Sequence, residues 1–214
     1  MTRPLVIVGA GGFGRETLDV ALAVNAATPD AAFDVLGVID AQPSEINLER
    51  LRDRDIPYLG TESDWFISRA SADFVIAIGS PAVRQRVAAA FQAAGLRAAT
   101  LVHPSVVIGS QSSIGAGTIV CAGAQISTNV HLGEHVHVNP HATIGHDTVV
   151  ESFVSINPAA VVSGDVTLGT GTLVGAGAVI LQGLSVGAAS TVGAAACVVR
   201  DVPKGTAVKG VPAR

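Results

Sequence analysis

Six histidines, one glycine-rich turn and a few acidic side chains are what this chain offers for chemistry. His146 is followed directly by Asp147. An imidazole beside a carboxylate is the pairing of a general base, because the neutral ring titrates near working pH and the carboxylate raises its basicity. The competing reading is a solvent-facing histidine. Neighbouring residues of an extended chain point to opposite faces, so these two side chains meet only where a corner separates them. Near the start, Gly9, Gly11 and Gly14 follow the apolar run Leu5-Val6-Ile7-Val8 in G-x-G-x-x-G order, and Asp40 closes the next predicted strand. Such a turn aims backbone amides at phosphate from a helix N-terminus. Only about a hundred residues surround it before the sequence changes character, too few for a two-lobed dinucleotide domain and a catalytic domain together. A mononucleotide or nucleotide-sugar suits the loop better than NAD. A glycine turn that merely packs helix on strand is the plain alternative.

The elements that must position these groups fall into two kinds. Residues 1–101 read as strand, glycine turn and helix, repeated. Strands are predicted at 5–8, 35–39 and 74–78, and helices at 15–27 and 82–93, with Pro81 suited to a first helical turn. This is a small parallel α/β domain of Rossmann type. From Val102 a different rule takes over. Counting in sixes, through Ile108, Ile114, Val120, Ile126 and Leu132 to Val198, gives seventeen positions, and every one is Val, Ile or Leu. Neither helical spacing nor simple alternation produces that register, whereas a hexapeptide period is the signature of a parallel β-helix. Each anchor fills a narrow lumen, and the Gly that follows many anchors is expected to ease the corner. Three faces make a coil, so residues eighteen apart stack about 4.8 Å apart. Residues 102–199 then form five to six coils, and 200–214 a C-terminal tail.

Composition agrees with that division. Apolar residues reach 49% and charged ones only 14%, which excludes disorder. Residues 1–101 hold nine basic and twelve acidic side chains, while 102–199 hold no Lys or Arg at all. The tail carries Arg200, Lys204, Lys209 and Arg214 against Asp201. A net charge of −4 gives no case for nucleic-acid binding. The uncharged stretch from Val166 to Val199 is too rich in Gly, Ser and Thr, and too regular, for a membrane span. Arg3 and Pro4 lead straight into a strand, unlike a signal peptide. Cys121 and Cys197 lie four coils apart, beyond disulfide reach, so both are expected free in a reducing, cytoplasmic setting. His141 and His146 have the H-x-x-x-x-H spacing of the zinc-bound carbonic anhydrases built on such solenoids. No His lies eighteen or thirty-six residues before either, so no metal is expected, and His131, His135 and His137 are expected to face solvent.

A small nucleotide-type α/β domain joined to an uninterrupted hexapeptide solenoid resembles the NeuD/PglD-type sugar O- or N-acetyltransferases over essentially the whole chain. The resemblance rests on Gly9–Gly14, Phe74-Val-Ile-Ala-Ile-Gly79, His103-Pro104-Ser105, Gly145-His146-Asp147, and the tail from Val202-Pro203 to Gly210-Val211-Pro212-Ala213-Arg214. It implies a left-handed parallel β-helix and acetyl transfer from acetyl-CoA to a nucleotide-linked amino sugar. It also implies a homotrimer with active sites between neighbouring solenoids. By the same likeness His146 is the general base, Asp147 its partner, and the Gly164 amide the oxyanion donor. Gly11, Gly12, Phe13, Asp40, Ala41 and Gly79 would lie near the nucleotide-sugar, and Ser155, Ala176 and Ala194 along the CoA groove. The basic tail would meet CoA phosphates or stay solvated. Phe13 and Ser155 stand where some members carry His, and Ala159 where Gly is usual, so the acceptor is expected to differ from the best-known ones. Two other readings remain: O-acetylation of a sialic-acid-type sugar, and a metal-dependent or non-catalytic solenoid.

Overall fold

A computed structural model describes residues 2–28, 30, 32–68 and 71–214, which fold as two compact units, 1–101 and 102–214. The first unit runs β1 (Arg3–Val8), α1 (Gly12–Ala27), β2 (Phe33–Ile39), α2 (Glu45–Arg52), α3 (Glu62–Ser68), β3 (Asp73–Ile76) and α4 (Pro81–Ala93). Its three strands are parallel in the order β2-β1-β3. Leu5, Val6, Ile7 and Val8 are all fully buried, as a central parallel strand covered on both faces requires. Because β1 lies between its two successors, the connection from β1 goes to one side and the later strand returns on the other, which opens a crevice at the C-terminal strand ends.

The periodic signals located β1, β2, α1 and α4 to within a few residues, but α2 and α3 lie outside those predictions. Each is short and buries a single side chain, Leu51 in α2 and Trp65 in α3. One buried residue per helix leaves no apolar stripe to read. Ala77 and Ile78 follow β3 as loop, although the Ala77 amide still donates to Val8 O at 2.8 Å.

The second unit is a left-handed parallel β-helix of two-residue strands in three sheets of seven, six and five strands. Up to Cys197–Val198 strands pair eighteen residues apart, as Thr143–Ile144 does with Val161–Val162. Anchors from Val120 to Val198 are at most 2% exposed and form a continuous core with a second inward row that includes Ala124, Val130 and Ala142. Four positions of that second row are Thr118, Thr148, Thr172 and Ser190, all buried. Their hydroxyls donate to carbonyls of the neighbouring coil, for example Thr118 to Gly133 at 3.0 Å and Ser190 to Pro203 at 2.8 Å, so the lumen holds no unsatisfied hydroxyl there. Residues 200–214 continue the stack: Ala207–Val208 pairs with Thr191–Val192, and Ala213 is buried.

The corner chemistry differs from the expectation. The left-handed backbone falls three residues after the anchor, at Asn129, His141, Asp147 and Asp165 among others, with φ between 58° and 59° at these four. The Gly directly after an anchor has ordinary φ. It is needed because coils approach closely: a Cβ on Gly145 would collide with the backbone nitrogen of Gly164.

Candidate active site

The corner after anchor Ile144 carries His146 and Asp147. Asp147 has φ +59°, and this left-handed turn swings its carboxylate beside the preceding ring instead of to the opposite face. His146 Nδ1 and Asp147 Oδ2 stand 2.7 Å apart. The hydrogen bond puts the ring proton on Nδ1 and leaves the Nε2 lone pair to accept another. From one coil earlier, Asn129 Nδ2 donates to Asp147 Oδ1 at 2.9 Å. The two bonds, Asn129 first and His146 second, hold the Asp147 carboxyl below the usual carboxylate range.

One coil onward is Gly164. A Cβ there would lie 2.6 Å from Cε1 and Nε2 of His146, so the ring lies directly against this residue and only glycine leaves it room. Among the described residues the Gly164 N–H donates no hydrogen bond. A groove of about 550 Å³ opens at this edge, lined by Val107, Gly109, Ser110, Gln125–Thr128 and Thr143–His146. The arrangement can take a proton on Nε2 from a nucleophile and offer an amide to an emerging oxyanion.

Other expected groups stand elsewhere. Ser155 is buried in the sheet of anchors Val138 and Ile156, between His137 and Leu173. Ala176 and Ala194 are exposed one coil apart at the corner that follows this sheet. Within one chain these three do not join His146. The histidines expected in solvent divide: His131 is exposed and bonded to Ser113 at 2.7 Å, whereas His135 and His137 are buried. His135 stacks on Phe153 with centroids 5.2 Å apart, since the solenoid period places the two rings one coil apart. Cys121 and Cys197 are not joined in a disulfide. Among the described residues no group of three or more His, Cys, Asp or Glu is placed to hold a metal, and no helix is long and apolar enough to cross a membrane.

In the first unit the glycine turn divides its labour. Gly9, at φ +118°, passes so close to Ala77 that a Cβ would lie 2.8 Å from its carbonyl oxygen. A Cβ on Gly14 would collide with Gly9 O. At Gly11 and Gly12, at the start of α1, an added Cβ would meet nothing within 4 Å, so packing does not require glycine there. Asp40 Oδ2 accepts from the Ala10 amide at 2.7 Å and Oδ1 from the Gln42 amide at 2.9 Å, tying the two strand-end loops together. Phe13 is half-buried, and Ala41 and Gly79 are exposed.

A cavity of about 710 Å³ lies over the strand ends, lined by Val8, Gly9, Asp40, Ala41, Gln42, Glu62, Ser63, Phe66, Ile78, Val83, Arg86, Val87 and Ala90. Sequence reasoning missed most of these, because α3 carries no period and α4 was read only for its length. It missed Arg84 as well. This side chain is fully buried and donates to Ile78 O at 2.8 Å, bracing the loop after β3; burial pushes its pKa down to about 9.

Fold and site together define a class: a hexapeptide β-helix with a histidine–aspartate corner, preceded by a nucleotide-type α/β domain. The PglD N-terminal domain family matches residues 4–91. PerB from Caulobacter crescentus, solved in complex with CoA and GDP-perosamine, is 26% identical with a TM-score of 0.85, covering 99% of this chain and 96% of that one. The acetyltransferase domain of PglB from Neisseria gonorrhoeae, in complex with acetyl coenzyme A, is 28% identical with a TM-score of 0.85, covering 100% and 99%. WeeI from Acinetobacter baumannii is 25% identical with a TM-score of 0.85 over 100% and 99%. No curated protein matches the sequence at a significant level. The first unit thus matches the PglD N-terminal domain, and the whole chain is similar in fold to these sugar acetyltransferases.

Proposed function

We propose that the protein transfers an acetyl group from acetyl-CoA to the amine of a nucleotide-linked amino sugar, with His146 as general base. The observation that carries this reading is the His146–Asp147 pair set against Gly164 in a chain similar along its whole length to PerB, whose structure holds CoA and GDP-perosamine. The neutral sugar amine attacks the thioester carbonyl. Nε2 of His146 takes the proton released from the amine, and the Gly164 amide donates to the oxyanion. Collapse of the tetrahedral intermediate breaks the carbon–sulfur bond. The CoA thiolate leaves and recovers the proton from the imidazolium, so no covalent enzyme intermediate is needed.

Ser155, Ala176 and Ala194 line the CoA path in this reading, and their separation from His146 within one chain supports a homotrimer in which a second copy supplies that wall. Gly11, Gly12, Phe13 and Gly79 stand at the nucleotide-sugar, in a cytoplasmic enzyme. Thiol release is measured with acetyl-CoA and a panel of UDP-, GDP- and dTDP-linked amino sugars. Release is expected only with an amino sugar present, and His146→Ala lowers kcat by about 10²–10⁴-fold. Unchanged turnover in that variant would overturn the assignment of the base.

A further inference from the structure

The cavity over the strand ends of the first unit carries more information than its position. Phe66 and Val83 give it apolar walls suited to the faces of a planar ring. Asp40 has both carboxylate oxygens committed to backbone amides. The charged groups left to read a ligand are Glu62 on α3 and Arg86 on α4, and among the described residues neither makes a hydrogen bond or an ion pair. One acceptor and one donor group therefore line the same slot from two different helices.

Base edges discriminate between the possible occupants. A carboxylate accepts from two adjacent donors, and a guanidinium donates to two adjacent acceptors. Guanine has both edges, N1–H with its exocyclic N2–H₂ on one side and O6 with N7 on the other, the latter the commonest bidentate target of arginine. Uracil and thymine present a single N3–H flanked by carbonyl oxygens, which a carboxylate repels. Adenine has no pair of adjacent donors on one edge. Building on the nucleotide-sugar reading above, we propose that this cavity is a guanine subsite, with Glu62 taking the N1/N2 edge and Arg86 the O6/N7 edge, and that the substrate is a GDP-linked amino sugar.

The test is calorimetric titration of the full-length protein with GDP, UDP, dTDP and ADP in the absence of acetyl-CoA. GDP is expected to bind at least roughly tenfold more tightly than the other three, the lower end of what one bidentate base contact discriminates. Glu62→Gln and Arg86→Ala, both checked for an unchanged melting temperature, each cut GDP affinity by about tenfold and do not weaken UDP binding. UDP or dTDP binding as tightly as GDP, or a GDP preference that survives both substitutions, overturns the guanine assignment and leaves the transferase reading standing. Failure of all four nucleotides to bind overturns both.

Discussion

Asp147 meets a hydrogen bond on each carboxylate oxygen, from Asn129 at 2.9 Å and from His146 at 2.7 Å. Its pKa is depressed, so the carboxylate is ionised above that lowered value, and its contribution is lost only as pH falls through it. Asn129→Ala removes the first-ranked cause. The Asp147 pKa then rises toward the ordinary carboxylate value, which carbon-detected NMR titration of the side chain reads directly. The imidazole also loses a fixed partner, and kcat drops roughly tenfold, at or below the small end of general-base effects, while KM for acetyl-CoA holds. An unmoved carboxyl titration would remove Asn129 from the site. Gly164 was reached through the family likeness, and one coil added to His146 leads to it. Asn129 was equally reachable by subtracting one coil from Asp147, but an Asn within a polar corner carries no signal until the left-handed turn aims it. Arg84 was illegible for another reason: nothing local marks one arginine of α4 as turned inward to the Ile78 carbonyl while Arg86 stays exposed.

The glycine turn and the solenoid corner show how an element can be read correctly in outline and wrongly in cause. The G-x-G-x-x-G spacing pointed first to a phosphate-holding turn, with helix packed on strand as the alternative, and Gly14 against the Gly9 carbonyl is such packing of α1 on β1. Gly14→Ala is expected to destabilise the first unit by about 1–3 kcal/mol or more, the range of overpacking, and to weaken GDP binding with it. Gly12→Ala, whose added Cβ meets nothing within 4 Å, leaves the unfolding midpoint unchanged or raised. Denaturant titration of the two variants separates them, and equal midpoints would mean that the turn yields more easily than its geometry implies. In the β-helix the six-residue count located the strands up to Cys197–Val198, because inward packing sets it, and missed Ala207–Val208, which falls out of that register. The corner was misread because steric freedom and close coil packing both select glycine, and only backbone dihedrals tell which acts. Asp147 shows the consequence: the left-handed position is open to polar side chains, so a corner can carry a carboxylate where a glycine corner would carry no side chain.

The stack buries its anchors from Val120 onward, leaves Ile108 of the first coil 42% exposed, and leaves its outer faces to be covered or wetted. One sheet keeps Val107, Val161, Leu181 and Val199 exposed at 58%, 36%, 43% and 45%, flanking anchors Ile108, Val162, Ile180 and Val198 in the same column of strands as the His146 groove. Gln125 and Thr143 separate Val107 from the others, but Val161, Leu181 and Val199 on the last three coils of this sheet form a short aliphatic row, the kind of patch that a protein interface removes from water. The proposed acetyl-CoA path needs such an interface, since Ser155, Ala176 and Ala194 belong to a different face and corner of the chain than His146. Light scattering coupled to size exclusion should therefore give about three times the 21.5 kDa chain mass. Leu181→Asp places a charge in the middle of this row. It should shift the protein to monomer and cut transfer from acetyl-CoA, yet leave the circular dichroism spectrum and GDP binding as they were, because the cavity proposed for the nucleotide is built wholly from the first unit. A monomeric variant with undiminished turnover would mean that one chain holds its thioester unaided, and the groove beside His146 would then have to accommodate the whole acyl donor.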